Sequence, residues 1–196
     1  KVASGAILDM SGGGMLSGAG FVSGRGGSIN VLNAPLVNAN PTTPVSKASD
    51  KVYAILPGYK SGYAPVAPEN GAGDPVVGQQ VTIPAGVPGL PAGTYTLLPS
   101  NYALLPGAYR VELAGTNTTP VASPISIGNG TYAASVSTGI ANTAIRATLP
   151  VTALITAGKS VRNYSQYNEQ GYSDFLTANV TRFGGVRPLL PADGKG

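Results

Sequence analysis

The sequence predicts an all-β fold, a compact β-sheet module of sandwich or barrel type. Three observations carry that prediction. Glycine (28) and proline (17) punctuate the 196 residues; they are rarely more than about ten residues apart, and both penalise a helix interior. The apolar residues fall in short runs that stop at Gly or Pro, the grammar of short strands and tight turns. Where a run is clear enough to show a period, the period is two. A pure β-helix segment is the alternative architecture, and the absence of a fixed repeat counts against it.

In chain order, residues 1–33 place short apolar pieces at 6–8, 20–22 and 29–32 between Gly-rich turns, which suits a β-helix rung or a series of hairpins. Residues 34–50, with Pro35, Pro41 and Pro44, read as loop. KVYAILP at 51–57 is a strand stopped by Pro57 and Gly58. Residues 68–75 are loop, 76–83 alternate weakly, and 85–93 form a turn cluster. TYTLL at 94–98 and YALL at 102–105 read as strands, each ended by a Leu-Leu-Pro triplet because Pro cannot donate to a ladder. AYRVEL at 108–113 alternates cleanly, with Tyr109, Val111 and Leu113 on one face and Arg110 and Glu112 on the other. That predicts a half-buried strand with Glu112 in solvent. Residues 114–130 are polar and Pro-bearing; 131–138 and 144–157 are further strands, the second broken at Pro150. A helix fits only within 164–183, with a cap at Ser173 or Asp174 and an end at Gly184 and Gly185. The expected core is Tyr53, Leu56, Tyr95, Leu97, Leu104, Tyr109, Val111 and Leu113. The expected organisation is a β-helix-like strand and turn segment at 1–33, a β-rich module at 34–186 and an exit linker at 187–196.

Composition narrows the chemistry. There is no Cys and no His, which removes disulfides, thiolate metal sites, the usual general base and the commonest metal ligand. No cofactor and no metal are expected. Charged residues are 10% of the chain, against roughly 25% in an average soluble domain, and the net charge of +4 is diffuse. Nucleic-acid binding asks for a concentrated basic stripe and is rejected. No apolar run reaches the roughly 18 residues of a membrane span. No signal peptide opens the chain at Lys1-Val2-Ala3, so an internal fragment of a longer protein is expected.

Apparent motifs read better as structure. ALITAGKS at 153–160 loosely matches a phosphate loop, but its Leu-Ile-Thr is strand-like where a Gly-rich cradle is needed, so a strand ending in a Gly turn is expected. The glycines at 18, 20, 24, 26 and 27 lack dinucleotide-binding spacing. Glycoside hydrolysis would need a carboxylate pair from Asp9, Glu69, Asp74, Glu112, Glu169 and Asp174. Glu169 and Asp174 share an aromatic stretch with Tyr164, Tyr167, Tyr172 and Phe175, which makes a glycoside-active domain a remote alternative. Sugar rings also stack on aromatic faces without any catalysis. Tyr59, Tyr63, Tyr164, Tyr167 and Tyr172 are therefore the candidate glycan- or receptor-binding residues.

Several blocks resemble the filamentous haemagglutinin-like exoproteins of the two-partner secretion type: ILDMSGGG at 7–14, RGGSINVL at 25–32, VYAILPGYKSGYAP at 52–65, AGTYTLLPSNYALLPGAYRVEL at 92–113, VRNYSQYNEQGYSDF at 161–175 and RPLLPADGKG at 187–196. The similarity recurs along nearly the whole chain and is most specific at 92–113. It implies a secreted or cell-surface adhesin with a long right-handed parallel β-helix shaft, exported through an outer-membrane two-partner-secretion transporter, with a host-cell glycan or receptor as a further partner. Residues 1–33 and 187–196 would join that shaft and the β-rich module would sit beside it. The family carries no catalytic residues onto this segment.

Overall fold

The computed structural model of the protein describes residues 17–23, 27–64, 78–116, 121–171, 174, 177, 178, 180, 181 and 184–186. Along the chain the elements are β1 (Ser17–Val22), α1 (Leu36–Ala39), β2 (Lys51–Ile55), β3 (Gln79–Ile83), β4 (Gly93–Thr96), a 3-10 turn (Ser100–Leu104), β5 (Tyr109–Thr116), β6 (Ile125–Gly128), β7 (Thr131–Ile140), β8 (Val151–Ala157), α2 (Gly158–Val161) and β9 (Gln166–Gly171). Two compact units result. One contains Lys1–Phe21 and Tyr167–Gly196, the other Val22–Gln166. Strands β1 and β9 pair as a two-stranded ribbon, and Phe21 meets Tyr167 edge to face at 6.2 Å.

The larger unit is a curled antiparallel sheet. Six strands run in the order β2-β5-β8-β7-β3-β4, and all of these pairings are antiparallel. The two ends of that path meet just past β4, where Ala54 N–H donates to Leu98 O at 2.9 Å and Leu98 N–H to Ala54 O at 2.8 Å. The sheet therefore curls into a barrel-like ring that protects its edges. β6 pairs with β7 off this path. The compact sheet expected of the sequence is thus an antiparallel barrel-like sheet. A pure parallel β-helix does not describe Val22–Gln166, because its ladders are antiparallel. Much of the supposed shaft, residues 1–16, 24–26 and 187–196, lies outside the described residues.

Period-two patterning builds the interior. Tyr53 and Ile55 of β2 stand opposite Val111 and Tyr109 of β5. Val111 stands opposite Ile155, and Ala134 opposite Ala153. Val81, Ile83, Leu97 and Val136 complete the same cluster, with Val87 and Leu90 from the turn before β4. Each large aliphatic side chain buried there contributes about 1.5–3 kcal/mol. Of the expected core, Tyr53, Leu97, Tyr109 and Val111 are buried in the cluster, and Tyr95 and Leu113 pack against it half-buried. Leu56 and Leu104 are only half-buried and outside it.

Several elements differ from expectation for physical reasons. YALL at 102–105 is not a strand. Pro99 is followed by Ser100 and Asn101, which favour turns, and Tyr102 N–H closes onto Pro99 O at 3.1 Å to form the 3-10 turn. The second Leu-Leu-Pro therefore ends a helical turn. β6 arises inside the polar stretch 114–130, paired to β7 through Ile125 and Ser126. Residues 166–171 form β9, so the helix begins later: 174, 177, 178, 180 and 181 are helical, and Gly184, at φ +76°, accepts the end with its N–H on Val180 O. The GKS motif is a strand end followed by one helical turn. A Cβ on Gly158 would clash with Ala103 O, so this glycine is required by backbone packing.

Candidate functional site

Arg110 and Glu112 are the largest departure from expectation. They do face away from the apolar interior, yet both are fully buried. Residues 29–50, a mostly loop segment we call the strap, lie over the outward face of β5. Arg110 Nε donates to Val31 O at 2.6 Å, and Nη2 donates to Ala34 O at 3.0 Å and to Glu112 Oε2 at 2.7 Å. Glu112 also accepts from Leu36 N–H at 3.0 Å and from the Ser46 hydroxyl at 2.5 Å. The solvent-exposed Glu112 expected from alternation is thus a buried clasp, because alternation along a strand reports which face a residue takes, not what covers that face.

Asp50 adds a second carboxyl. It is buried and accepts from Lys47 N–H at 2.8 Å. Its pKa is raised, by burial first and, against the lowering effect of that N–H, by the neighbouring Glu112 charge. Asp50 was absent from the candidate acids, and no local pattern places it beside a residue 62 positions away. Glu112 lies under the strap and Asp50 closes the strap's end, both buried and tied to backbone, hydroxyl or guanidinium groups that hold the fold. Val45, next to Ser46, holds φ +70°, a left-handed conformation that a β-branched residue adopts only under strain.

The surface feature with recognisable binding chemistry is a cleft of about 370 Å³ lined by the loop after β2, the turn before β4, and β3 and β4. A barrel's width grows with strand number and side chains already fill an eight-stranded interior, so a six-stranded ring leaves ligands to its exterior and mouths. Tyr59 and Tyr95 line the cleft with Lys60, Ser61, Gln80 and Thr94. The Tyr59 hydroxyl donates to Tyr63 O at 2.6 Å and the Tyr95 hydroxyl to Pro91 O at 2.5 Å, so each ring is pinned to the backbone of its own loop. Burial holds the Tyr95 pKa above the ordinary phenol value, so the hydroxyl stays a donor. Thr96 Oγ1 donates to Ser61 O at 2.7 Å and fixes the Tyr59 loop to β4.

The five sequence-chosen tyrosines do not form one site. Tyr59 lines the cleft and the half-exposed Tyr63 adjoins it through its carbonyl. Tyr164 instead joins a hydroxyl cluster on β7 and β8, 3.0 Å from Thr131 Oγ1, which is 2.9 Å from Thr156 Oγ1. Tyr167 belongs to the smaller unit and packs on Phe21. Tyr172, Asp9, Glu69 and Asp74 lie outside the described residues, as does the Glu169 side chain, while Asp174 is exposed. Tyr95, Gln80 and Thr94 enter the cleft only because β3 and β4 pair. Sequence patterning assigns Tyr95 to the core, and the residue both packs against the core cluster and lines the cleft.

Among the described residues, no three His, Cys, Asp or Glu side chains are grouped to hold a metal ion, and no helix is long and apolar enough to cross a membrane. Compared with known proteins, the chain matches no family model, no curated protein and no solved structure.

Proposed function

We propose that the protein is a non-catalytic adhesive module of a large secreted bacterial surface adhesin of the filamentous haemagglutinin-like type, exported through an outer-membrane two-partner-secretion transporter. The observation that carries this reading is the joining of the larger unit's two ends. Ser165, fully buried, donates to Ile29 O at 2.7 Å and accepts from Val31 N–H at 3.2 Å. A module whose chain leaves where it began can be mounted on a longer protein without interrupting it. In this reading the flanking segments continue into a β-helical shaft that carries the barrel-like sheet. The low charge and hydroxyl-rich composition suit an extracellular surface, and the sequence blocks that resemble the exoprotein family supply the secretion route.

Antibodies raised against the chain, applied to intact bacteria that make the parent protein, test this directly. Surface labelling without permeabilisation, lost when the transporter partner is deleted, is the expected result. Labelling that appears only after permeabilisation removes the reading.

A further inference from the structure

We propose that the cleft lined by Tyr59 and Tyr95 binds a carboxylated sugar, a pyranose carrying an acid group within a longer glycan. The proposal rests on the adhesive reading and names the ligand class that its cleft would take. Three features of the cleft point to this chemistry. Its volume of about 370 Å³ is at the small end of the range for ligand clefts, roughly 300–1,000 Å³, which suits a short stretch of sugar rings. Its two tyrosines are held by hydroxyl bonds to Tyr63 O and Pro91 O. Rings fixed in advance lose little conformational entropy on binding; Tyr95 packs against the core as a fixed wall, and the half-buried Tyr59 offers its ring to the C–H face of a pyranose. The polar lining is made of side-chain hydroxyls and an amide, Ser61, Thr94 and Gln80, the groups that exchange hydrogen bonds with sugar hydroxyls.

The charge selects among sugars. Among the described residues, Lys60 is the one charged residue lining the cleft, and no carboxylate lines it. A neutral sugar has no use for that ammonium, whereas an acidic sugar meets a cation that no carboxylate among the described lining residues opposes. The Tyr face sets the position of the ring and Lys60 sets the position of the acid group. Uronic acids and sialic acids both carry this chemistry, and the test separates them.

The test is calorimetric titration of the full chain with a hyaluronan tetrasaccharide, with 3′-sialyllactose, and with cellotetraose as the neutral control. Binding to one of the two acidic ligands, at least tenfold tighter than to cellotetraose and weakened at least tenfold by Lys60→Gln, is the expected result; which acidic ligand binds names the source. Lys60 is exposed, so Lys60→Gln keeps the fold, and an unchanged urea midpoint verifies it. Tyr59→Ala is expected to abolish binding of the same ligand. Failure of both acidic ligands to bind, equal binding of cellotetraose, or an affinity indifferent to Lys60→Gln overturns the assignment. If neither acidic ligand binds while intact bacteria still label at their surface, the cleft assignment fails and the adhesive reading stands.

Discussion

Glu112→Ala is expected to destabilise the protein by about 3–5 kcal/mol, the cost of breaking a buried ion pair by removing one partner. That is a large share of the roughly 5–15 kcal/mol by which a domain is stable. The more informative perturbation is the double change Arg110→Met with Glu112→Leu. Replacing a whole buried pair by apolar residues is often neutral or stabilising, because both charges leave together. Here each member also holds the strap: Arg110 serves Val31 O and Ala34 O, and Glu112 serves Leu36 N–H and the Ser46 hydroxyl. The double change leaves those groups covered and without their partners, and an unsatisfied buried polar group costs about 1–3 kcal/mol. The double variant is therefore expected to remain at least about 3 kcal/mol below the parent. Urea unfolding of the full chain measures the loss, and amide exchange at Leu36 locates it. A double variant as stable as the parent, with the Leu36 amide still protected, would refute the clasp as the strap's anchor.

Three further outcomes follow from the same region and its neighbours. Asp50 has a raised pKa, so the folded protein binds its proton more tightly than the unfolded chain does, and stability is lost as pH rises from the ordinary value of 3.8 through the raised one. Asp50→Asn is expected to gain stability over the parent at pH 7, with the gain vanishing as pH falls below 3.8, read from paired urea midpoints; a gain independent of pH contradicts this. Val45→Gly releases a left-handed β-branched residue, which costs about 1–2 kcal/mol, and gives back about 0.5–1 kcal/mol in glycine entropy. A rise in melting temperature of about 2 °C is expected, and a fall would show that Val45 is not strained. Gly158→Ala forces a methyl to within 2.2 Å of Ala103 O; overpacking of this kind costs about 1–3 kcal/mol or more, read as a lowered melting temperature.

The class of fold was legible because strand patterning is local. Tyr53, Val111, Leu113 and their neighbours announce their face by alternation, and Pro and Gly mark where strands stop. What was not legible depends on contacts across long stretches of chain. Arg110 and Glu112 alternate like any solvent-facing pair, and only the arrival of the strap, from residues 76 positions earlier for Leu36, buries them. The second Leu-Leu-Pro looks like the first; the Pro-Ser-Asn that precedes it turns the chain into a 3-10 helix. The cleft was half legible. Tyr59 stands out as an aromatic in a turn-rich loop, whereas Tyr95 sits on a strand and reaches the cleft through the pairing of β3 and β4. Tyr164 stood out equally and turned out to serve a buried hydroxyl cluster.

The central claim, that this chain presents an adhesive surface, is tested most directly by retention under flow. Beads coated with the full chain, passed over cultured epithelial cells, are expected to be held in greater number than beads coated with an unrelated protein of the same charge, and free chain is expected to compete them off. Retention no greater than that of the control beads, across cell types and across a broad glycan array, would contradict it.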